Sequence, residues 1–146
     1  MTSTLGDHLN QEVGVSEWIP IRQPEIDAFA ELTRDHQWIH TDPARARTDS
    51  PYEATVAHGF FTLSLLSHFL TSTVEVEDAK MLISCGLDSV RFLNPVPVEA
   101  RVRARVRLRK LSEGDGWVEA TWRFTVGCEG IRLPSCIADW VVRYQR

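Results

Sequence analysis

The sequence predicts an α+β domain in which a long antiparallel sheet wraps around one buried helix. The chain of 146 residues is long enough for one domain with a single core. Its C-terminal half alternates apolar and polar residues, which is the period of strands with one buried face. Its middle contains a run from Phe60 to Leu70 that is apolar almost all the way round, the pattern of a helix buried on every side.

Composition narrows the classes of partner and compartment. The formal net charge of −4 argues against nucleic acid or an anionic membrane as the main partner. The N-terminus lacks the features of a secretory signal, and the apolar run is too short to span a bilayer. Cys85, Cys128 and Cys136 show neither disulfide nor metal spacing, so we expect no metal site and a cytoplasmic protein.

The first third of the chain predicts one strand, one helix and a long connection. Residues 1–11 are polar and unpatterned, and we expect them to be loosely ordered or to lie over the surface. Val13 to Ile21 reads as a short strand. Pro24 and apolar residues at helical spacing predict a helix that ends near Arg34. Residues 35–57 contain turn signals and about one helical turn, at Ala44 to Arg47, and long ordered loops are often functional.

The remainder predicts the central helix followed by strands. The helix starts at Gly59 and ends at about Ser72. The strands are expected at 80–93, as a strand pair or one long bent strand, and at 98–111, 117–126 and 131–144. Valines, alanines and leucines from Val102 to Leu108 alternate with arginines from Arg101 to Arg109, and residues 113–116 supply a hairpin turn. The arginine row indicates a solvated sheet face.

Asp35 and His40 are the first candidates for chemistry. A carboxylate and an imidazole can take a proton from water and deliver one to carbon. On a continuing helix their side chains would point about 140° apart, so they converge only if the chain turns after Asp35. Trp38 and Ile39, if buried, could anchor that turn. Taken alone, the spacing more often marks a helix-terminal carboxylate and a loop histidine.

The second candidate is the run from Val56 to Gly59 that leads into the central helix. Glycine at a helix start lets a ligand approach the backbone, and free N–H groups there favour developing negative charge. The alternative is that Gly59 is only a tight entry to a crowded helix. Ser64 and Ser67 could similarly be bonded back to their own helix.

Together these segments resemble the MaoC-like (R)-specific enoyl-CoA hydratases, particularly their nodulation protein N-like branch. The resemblance runs from about Val13 to the C-terminus. It rests on the order and separation of three stretches: Asp35-x4-His40 with Asp42 after it, Ala57 to Leu65, and Val90 to Val96. Arg34, Gln37 and Trp38 stand where the hydratase pattern often has Gly, Asn and Pro, which puts the acyl-chain preference in doubt.

The resemblance implies a hot-dog fold and reversible addition of water to a trans-2-enoyl thioester. It implies that Asp35 and His40 hold the water and that the Gly59 N–H binds the thioester oxygen. Further positions that match the family are supporting or substrate-contacting residues: Ser64 and His58 near the pair, and Trp38, Phe60 and Arg91 toward the acyl group or coenzyme A. No cofactor is implied beyond the coenzyme A or acyl carrier protein of the substrate, and a homodimer is expected.

Two other functions fit the same fold. A hot-dog thioesterase would direct water at the carbonyl carbon. Such enzymes usually use a carboxylate from the central helix or its partner, and residues 58–74 of this helix contain no Asp or Glu. A catalytically silent thioester-binding subunit is the other, and the presence of both Asp35 and His40 argues against it. The arginine row, Arg91 and Arg45 are candidates for the phosphates of coenzyme A.

Overall fold

Six strands form one sheet in the computed structural model, which describes residues 5–146. The strands are β1 Glu12–Val15, β2 Ile19–Pro20, β3 Met81–Phe92, β4 Arg101–Gly114, β5 Trp117–Cys128 and β6 Cys136–Gln145. The order across the sheet is β1-β4-β5-β6-β3, with β2 also on β4, and neighbouring strands are antiparallel. The strand β3 therefore lies at one edge.

Five helices of the described chain precede β3. They are α1 Gln23–Thr33, α2 Trp38–Thr41, α3 Pro43–Asp49, α4 Gly59–Ser64 and α5 Leu66–Thr73. The prediction of α1 is confirmed, and α4 with α5 occupies the predicted extent of the central helix. Between them, the Leu65 N–H bonds to the Thr62 carbonyl at 3.2 Å, a tighter three-residue spacing that interrupts the α-helix for one residue.

The core lies between the concave face of the sheet and the central helix. The predicted alternation is confirmed, because Val102, Ala104, Val106 and Leu108 are fully buried while the intervening arginines face outward. On the helix, Phe69 and Leu70 are buried against this face, and each such side chain contributes about 1.5–3 kcal/mol by leaving water. A sheet wrapped around one helix is the expected hot-dog arrangement.

The outward arginines of β4 are paired within the chain. Arg101 bonds to Glu129 at 2.5 Å, Arg105 bonds to Glu12 at 2.9 Å, and Arg103 stacks on Trp18. These contacts are typical of a solvated sheet face. They leave the row poorly suited to hold the phosphates of a ligand.

The N-terminal strand differs from its prediction. The expected strand Val13 to Ile21 is two short strands, β1 and β2, separated around Ser16. There the Ser16 side-chain oxygen accepts the N–H of Ala104 at 2.9 Å, so a side chain replaces the main-chain acceptor and the ladder is broken. The described part of residues 1–11 lies over the sheet, with Leu5 buried and the Asn10 N–H on the Leu108 carbonyl. Residues 1–4 lie outside the described range.

The long connection contains more helix than predicted. Two short helices, α2 and α3, replace the single expected turn. Asp42 caps α3, since its carboxylate accepts the N–H of Arg45 at 3.1 Å, and Pro43 occupies the first turn.

The expectation that the central helix is buried on every side is wrong for the single chain. Phe60 is 68% exposed, and Ser64, Ser67, His68 and Thr71 are also exposed. The physical reason is that the sheet covers one side of the helix, whereas the sequence from Phe60 to Leu70 is nearly apolar on both sides. The adjoining edge strand β3 is similarly uncovered, with several exposed apolar residues: Met81, Ile83, Leu87 and Phe92.

The last strands also differ in their limits. Residues 80–93 form one bent strand with irregularities near Cys85 and Asp88, which was one of the two alternatives. Strand β6 begins at Cys136 rather than at residue 131, because Gly130 turns the chain with a φ of 78° and Pro134 cannot donate to a ladder. The three cysteines are free. Within the described residues, no helix has the length and apolar character needed to cross a membrane.

Candidate active site

The chain turns sharply where α1 ends, and this turn presents Asp35. Helix α1 stops at Thr33, and Arg34 takes a left-handed conformation with a φ of 66°. The expected turn is therefore present, one residue earlier than predicted. The Gln37 N–H points to the Asp35 carboxylate at 3.4 Å, and the Asp35 side chain remains 53% exposed.

His40, on α2, is buried and its ring has a defined tautomer. Its Nδ1 lies 2.6 Å from the carbonyl oxygen of Val56. Because a carbonyl can only accept, Nδ1 carries the proton and the lone pair of the neutral ring is on Nε2. The His40 main chain is fixed as well, since its carbonyl accepts the side-chain amide of Gln23 at 2.7 Å, and Gln23 in turn accepts the Thr55 hydroxyl.

The environment of His40 favours its neutral form. Burial lowers the pKa of His40, while the hydrogen bond to the Val56 carbonyl raises it. The neighbouring His58 lowers this pKa further and the charge of Asp35 raises it, and the net result is a pKa below the ordinary value. A neutral His40 with a free Nε2 is equipped to accept a proton.

His58 is also buried and lies against both members of the pair. Its Nε2 lies 3.0 Å from the main-chain carbonyl of Asp35 and 4.0 Å from the Asp35 carboxylate. Its ring stacks on His40 with centroids 3.8 Å apart and planes at 24°. Among the described residues, its Nδ1 has no hydrogen-bond partner.

Asp35, His40 and His58 form one cluster. A side-chain donor or acceptor atom of each lies within 4.8 Å of those of the other two. The His40 Nδ1–H and the His58 Nε2–H each donate a hydrogen bond to a main-chain carbonyl. A nitrogen that carries a hydrogen has no lone pair for a metal ion. A carboxylate and an imidazole whose polar atoms lie this close together can be bridged by one water molecule.

Gly59 opens the central helix beside this cluster. Within the part of the chain that is described, its N–H has no acceptor. A methyl group added at Gly59 would meet the Phe92 ring at 3.2 Å, closer than ordinary contact. A cavity of about 280 Å³ runs past Gly59, and Ile39, Val56, Phe92 and Leu93 contribute to its lining. Two of these residues adjoin His40 directly: Ile39 in sequence and Val56 through its carbonyl.

Other predicted site residues lie elsewhere or face other groups. The Ser64 hydroxyl donates to the Phe60 carbonyl of its own helix at 2.7 Å and is exposed. Trp38 is half-buried, and the Arg45 guanidinium lies 4.2 Å from its ring centroid. Phe60 contacts Phe92 edge-on, and Arg91 is exposed on β3. The structure thus brings together Asp35, His40 and His58 next to Gly59, and leaves Ser64 outside their hydrogen bonds.

Two supporting groups were not identified from sequence. The Val56 carbonyl is a main-chain group, and its residue type gives no signal. Gln23 stands at the start of the predicted helix, and it holds His40 across 17 positions of sequence. Its polar side chain directly before Pro24 was the signal available.

Comparison with known proteins places this geometry in a family. The model of the MaoC like domain matches residues 5–125. The 3-hydroxyacyl-thioester dehydratase Z of Mycobacterium tuberculosis is 46% identical over 92% of this chain and 89% of that protein. Nodulation protein N of Rhizobium leguminosarum is 42% identical over 94% of this chain and 86% of that protein. A solved (R)-hydratase from Aeromonas caviae, involved in PHA biosynthesis, is 30% identical with a TM-score of 0.70, covering 90% of this chain and 95% of that one. The chain therefore belongs to the MaoC-like dehydratase family.

Proposed function

We propose that this chain is an (R)-specific enoyl-CoA hydratase, acting in reverse as a 3-hydroxyacyl-CoA dehydratase, with Asp35 and His40 as its acid/base pair. The observation that carries the proposal is the cluster itself: a carboxylate oxygen and a ring nitrogen of the buried His40 lie within 4.8 Å of each other, and the His40 Nδ1 is held on the Val56 carbonyl. The activity agrees with the relatives named as a thioester dehydratase and an enoyl-CoA hydratase. The chain is accordingly a hydro-lyase.

In the hydration direction, Asp35 and His40 orient one water molecule against C3 of a trans-2-enoyl thioester. One of them takes a proton from the water as the C3–O bond forms, and the C2=C3 electron pair moves toward the thioester carbonyl. The Gly59 N–H binds the resulting enolate oxygen, a kind of donor worth about a hundredfold or more in rate. The partner then protonates C2. The two residues act on one shared water molecule, so the roles of base and acid are assigned to the pair.

The carrier of the acyl group meets the surface around this cluster. We assign Trp38 and Phe60 to apolar contacts with the thioester, since both lie within a few residues of the catalytic positions. Arg91 is an exposed cation for which the described structure records no ion pair, which suits the phosphates of coenzyme A or an acidic acyl carrier protein. Ser64 is a supporting residue if its hydroxyl rotates away from the helix.

We further propose that two copies associate through β3 and the uncovered side of the central helix. An edge strand with exposed apolar side chains invites pairing with another chain, and Ile83, Leu87 and Phe92 are all more than a third exposed. A second copy would cover them together with Phe60. The buried free thiols of Cys128 and Cys136 suit a reducing cytoplasm.

The test is one assay that follows two signals. Purified protein is mixed with crotonyl-CoA while enoyl absorbance and free thiol are recorded together, and the product is analysed for chirality. We expect absorbance to fall without thiol release, and the product to be (R)-3-hydroxybutyryl-CoA. Stoichiometric thiol release would instead identify a thioesterase. Absence of both signals across a panel of enoyl chain lengths, with binding retained, would identify a silent thioester-binding subunit.

A further inference from the structure

His58 is a buried histidine that takes no part in the proton transfers just described. It is 3% exposed and touches both catalytic residues. We propose that His58 is a positioning residue, which holds the main chain of Asp35 and the ring of His40 in the geometry that lets them share a water molecule. This inference rests on the proposed function of Asp35 and His40.

The hydrogen bond from His58 anchors an otherwise exposed turn. Asp35, His36 and Gln37 are all exposed, so few packing contacts fix this segment. The His58 Nε2–H donates to the Asp35 carbonyl at 3.0 Å. Because His58 occupies the N-cap position of α4, this bond joins the turn to the start of the central helix. The place of the Asp35 carboxylate relative to His40 therefore depends on this bond.

The ring of His58 sets the plane of His40. One face of His58 stacks on His40 at 3.8 Å, and Phe29 of α1 lies 4.9 Å from the His58 ring. Phe29 stacks in turn on Phe61 of α4 at 5.3 Å. These four rings form a column that supports His40 while the Val56 carbonyl holds its Nδ1. The free Nε2 is thereby given a fixed direction.

Stability alone does not account for a histidine at position 58. Its Nδ1 is buried without a partner among the described residues, and an unpaired buried acceptor costs free energy. A phenylalanine would fill similar space in the column without that nitrogen. A role in packing alone thus predicts that His58→Phe is well tolerated, whereas the positioning role predicts that it is not.

The same contact influences the charge of His40. Asp35 and His58 are the titratable groups that face His40, while Phe29, Phe61 and the Val56 carbonyl are uncharged. Asp35 raises the pKa of His40 and His58 lowers it. Removing the imidazole at position 58 should therefore raise the pKa of His40, and a packing role would not require this.

The experiment compares His58→Phe, which keeps a ring and loses the donor, with His58→Gln, whose amide can still donate to Asp35. His8→Gln is the matched control, since His8 is an exposed histidine of the N-terminal segment. For each protein, kcat, KM and their pH dependence are measured with an enoyl-CoA, thermal unfolding is recorded, and the ring proton signals of His40 are titrated by NMR.

We expect His58→Phe to remain folded, to keep KM, and to lose kcat by about 100-fold, the cost of a misplaced reacting group. His58→Gln should recover kcat to within about tenfold of the wild type. Both should shift the His40 titration to higher pH, and the control should change nothing.

Unchanged kcat and unchanged His40 titration in both variants would overturn the inference. So would losses of activity that only follow loss of folded protein. If the wild type itself does not hydrate enoyl thioesters, the proposed function fails, and the inference about catalysis fails with it. If the wild type is active and His58→Phe has the same kcat, the positioning role alone is contradicted.

Discussion

Two main-chain carbonyls decide the protonation pattern of the site. The Val56 carbonyl accepts a hydrogen bond from the His40 Nδ1–H, and the main-chain carbonyl of Asp35 accepts one from the His58 Nε2–H. The pair of Asp35 and His40 is thereby left with the free Nε2 of His40 and the exposed carboxylate of Asp35. Its proton chemistry depends on His40 remaining uncharged, which its burial favours.

The activity should therefore fall on the acid side with the titration of His40. Its pKa is lowered by burial, so the midpoint of log kcat/KM should lie below about 6.5, the ordinary histidine value. The same shift affects stability: as pH falls through about 6.5, the unfolded chain binds the proton first, so the free energy of unfolding decreases until the lowered pKa is passed. A profile of log kcat/KM from about pH 5 to 8 measures the midpoint of activity, with His36→Gln as the control. An acid midpoint well above the ordinary value would contradict it.

Gly59 can be tested by adding one methyl group. Alanine there should be compatible with the helix, but its Cβ meets the Phe92 ring at 3.2 Å and obstructs approach to the N–H. We expect Gly59→Ala to lower kcat/KM by about 10- to 100-fold. In Gly127→Ala the new Cβ has no neighbour within 4 Å, so that variant is the control. Equal activity of the two would argue against substrate binding at Gly59.

The order and separation of three stretches together identified Asp35, His40 and Gly59 as candidates, although none of the motifs is specific alone. The hydrogen bonds that orient them could not be predicted in the same way. A main-chain carbonyl such as that of Val56 carries no residue signature, and the contact of His58 with Asp35 spans 23 positions. Ser64 matched a motif position, yet its hydroxyl satisfies its own helix.

At the scale of elements, periodicity predicted the sheet because β5, β6 and the first half of β4 each bury one face. The starts of α1 and α4 were predicted well, because Pro24 and Gly59 mark them. Periodicity failed where a side chain competes with the main chain, as Ser16 does between β1 and β2. It also overestimated the burial of the central helix, because the sheet covers only one side of a helix that is nearly apolar on both.

The packing of the central helix against the sheet gives a stability prediction. Phe69 is fully buried, and its replacement by alanine removes a large side chain and leaves a cavity. We expect Phe69→Ala to lower the free energy of unfolding by about 3–5 kcal/mol. Thr71→Ala, an exposed change two residues later, should alter it by no more than about 0.5 kcal/mol. Denaturant unfolding at one fixed protein concentration measures both, and similar values would contradict the placement of the helix.

At the scale of the whole molecule, one side carries a surface of exposed apolar residues. It combines the edge strand β3 with the outer side of the central helix, including Phe60, which borders Gly59. A partner seated there would cover apolar surface close to the cluster of Asp35, His40 and His58. This surface could not be predicted from the periodicity of the sequence, since buried and interface residues have the same apolar pattern.

A charged residue in this surface should separate the copies. Leu87, on β3, is 43% exposed, and Leu87→Arg would place an unpaired cation in the proposed contact. Sedimentation or light scattering should show a dimer for the wild type and monomer for this variant. Leu32→Arg is the control, because Leu32 is 83% exposed on α1 and outside the surface. A wild type that is monomeric at every concentration would contradict the dimer.

The most direct test of the account is the turnover of crotonyl-CoA by Asp35→Asn and His40→Gln. Each change removes one half of the acid/base pair, and we expect kcat to fall by at least about 100-fold in both while the fold is kept. Asp42→Asn, which preserves the cap of α3, and His36→Gln, an exposed neighbour, should keep wild-type activity. Full activity in both Asp35→Asn and His40→Gln would contradict the assignment of the catalytic pair.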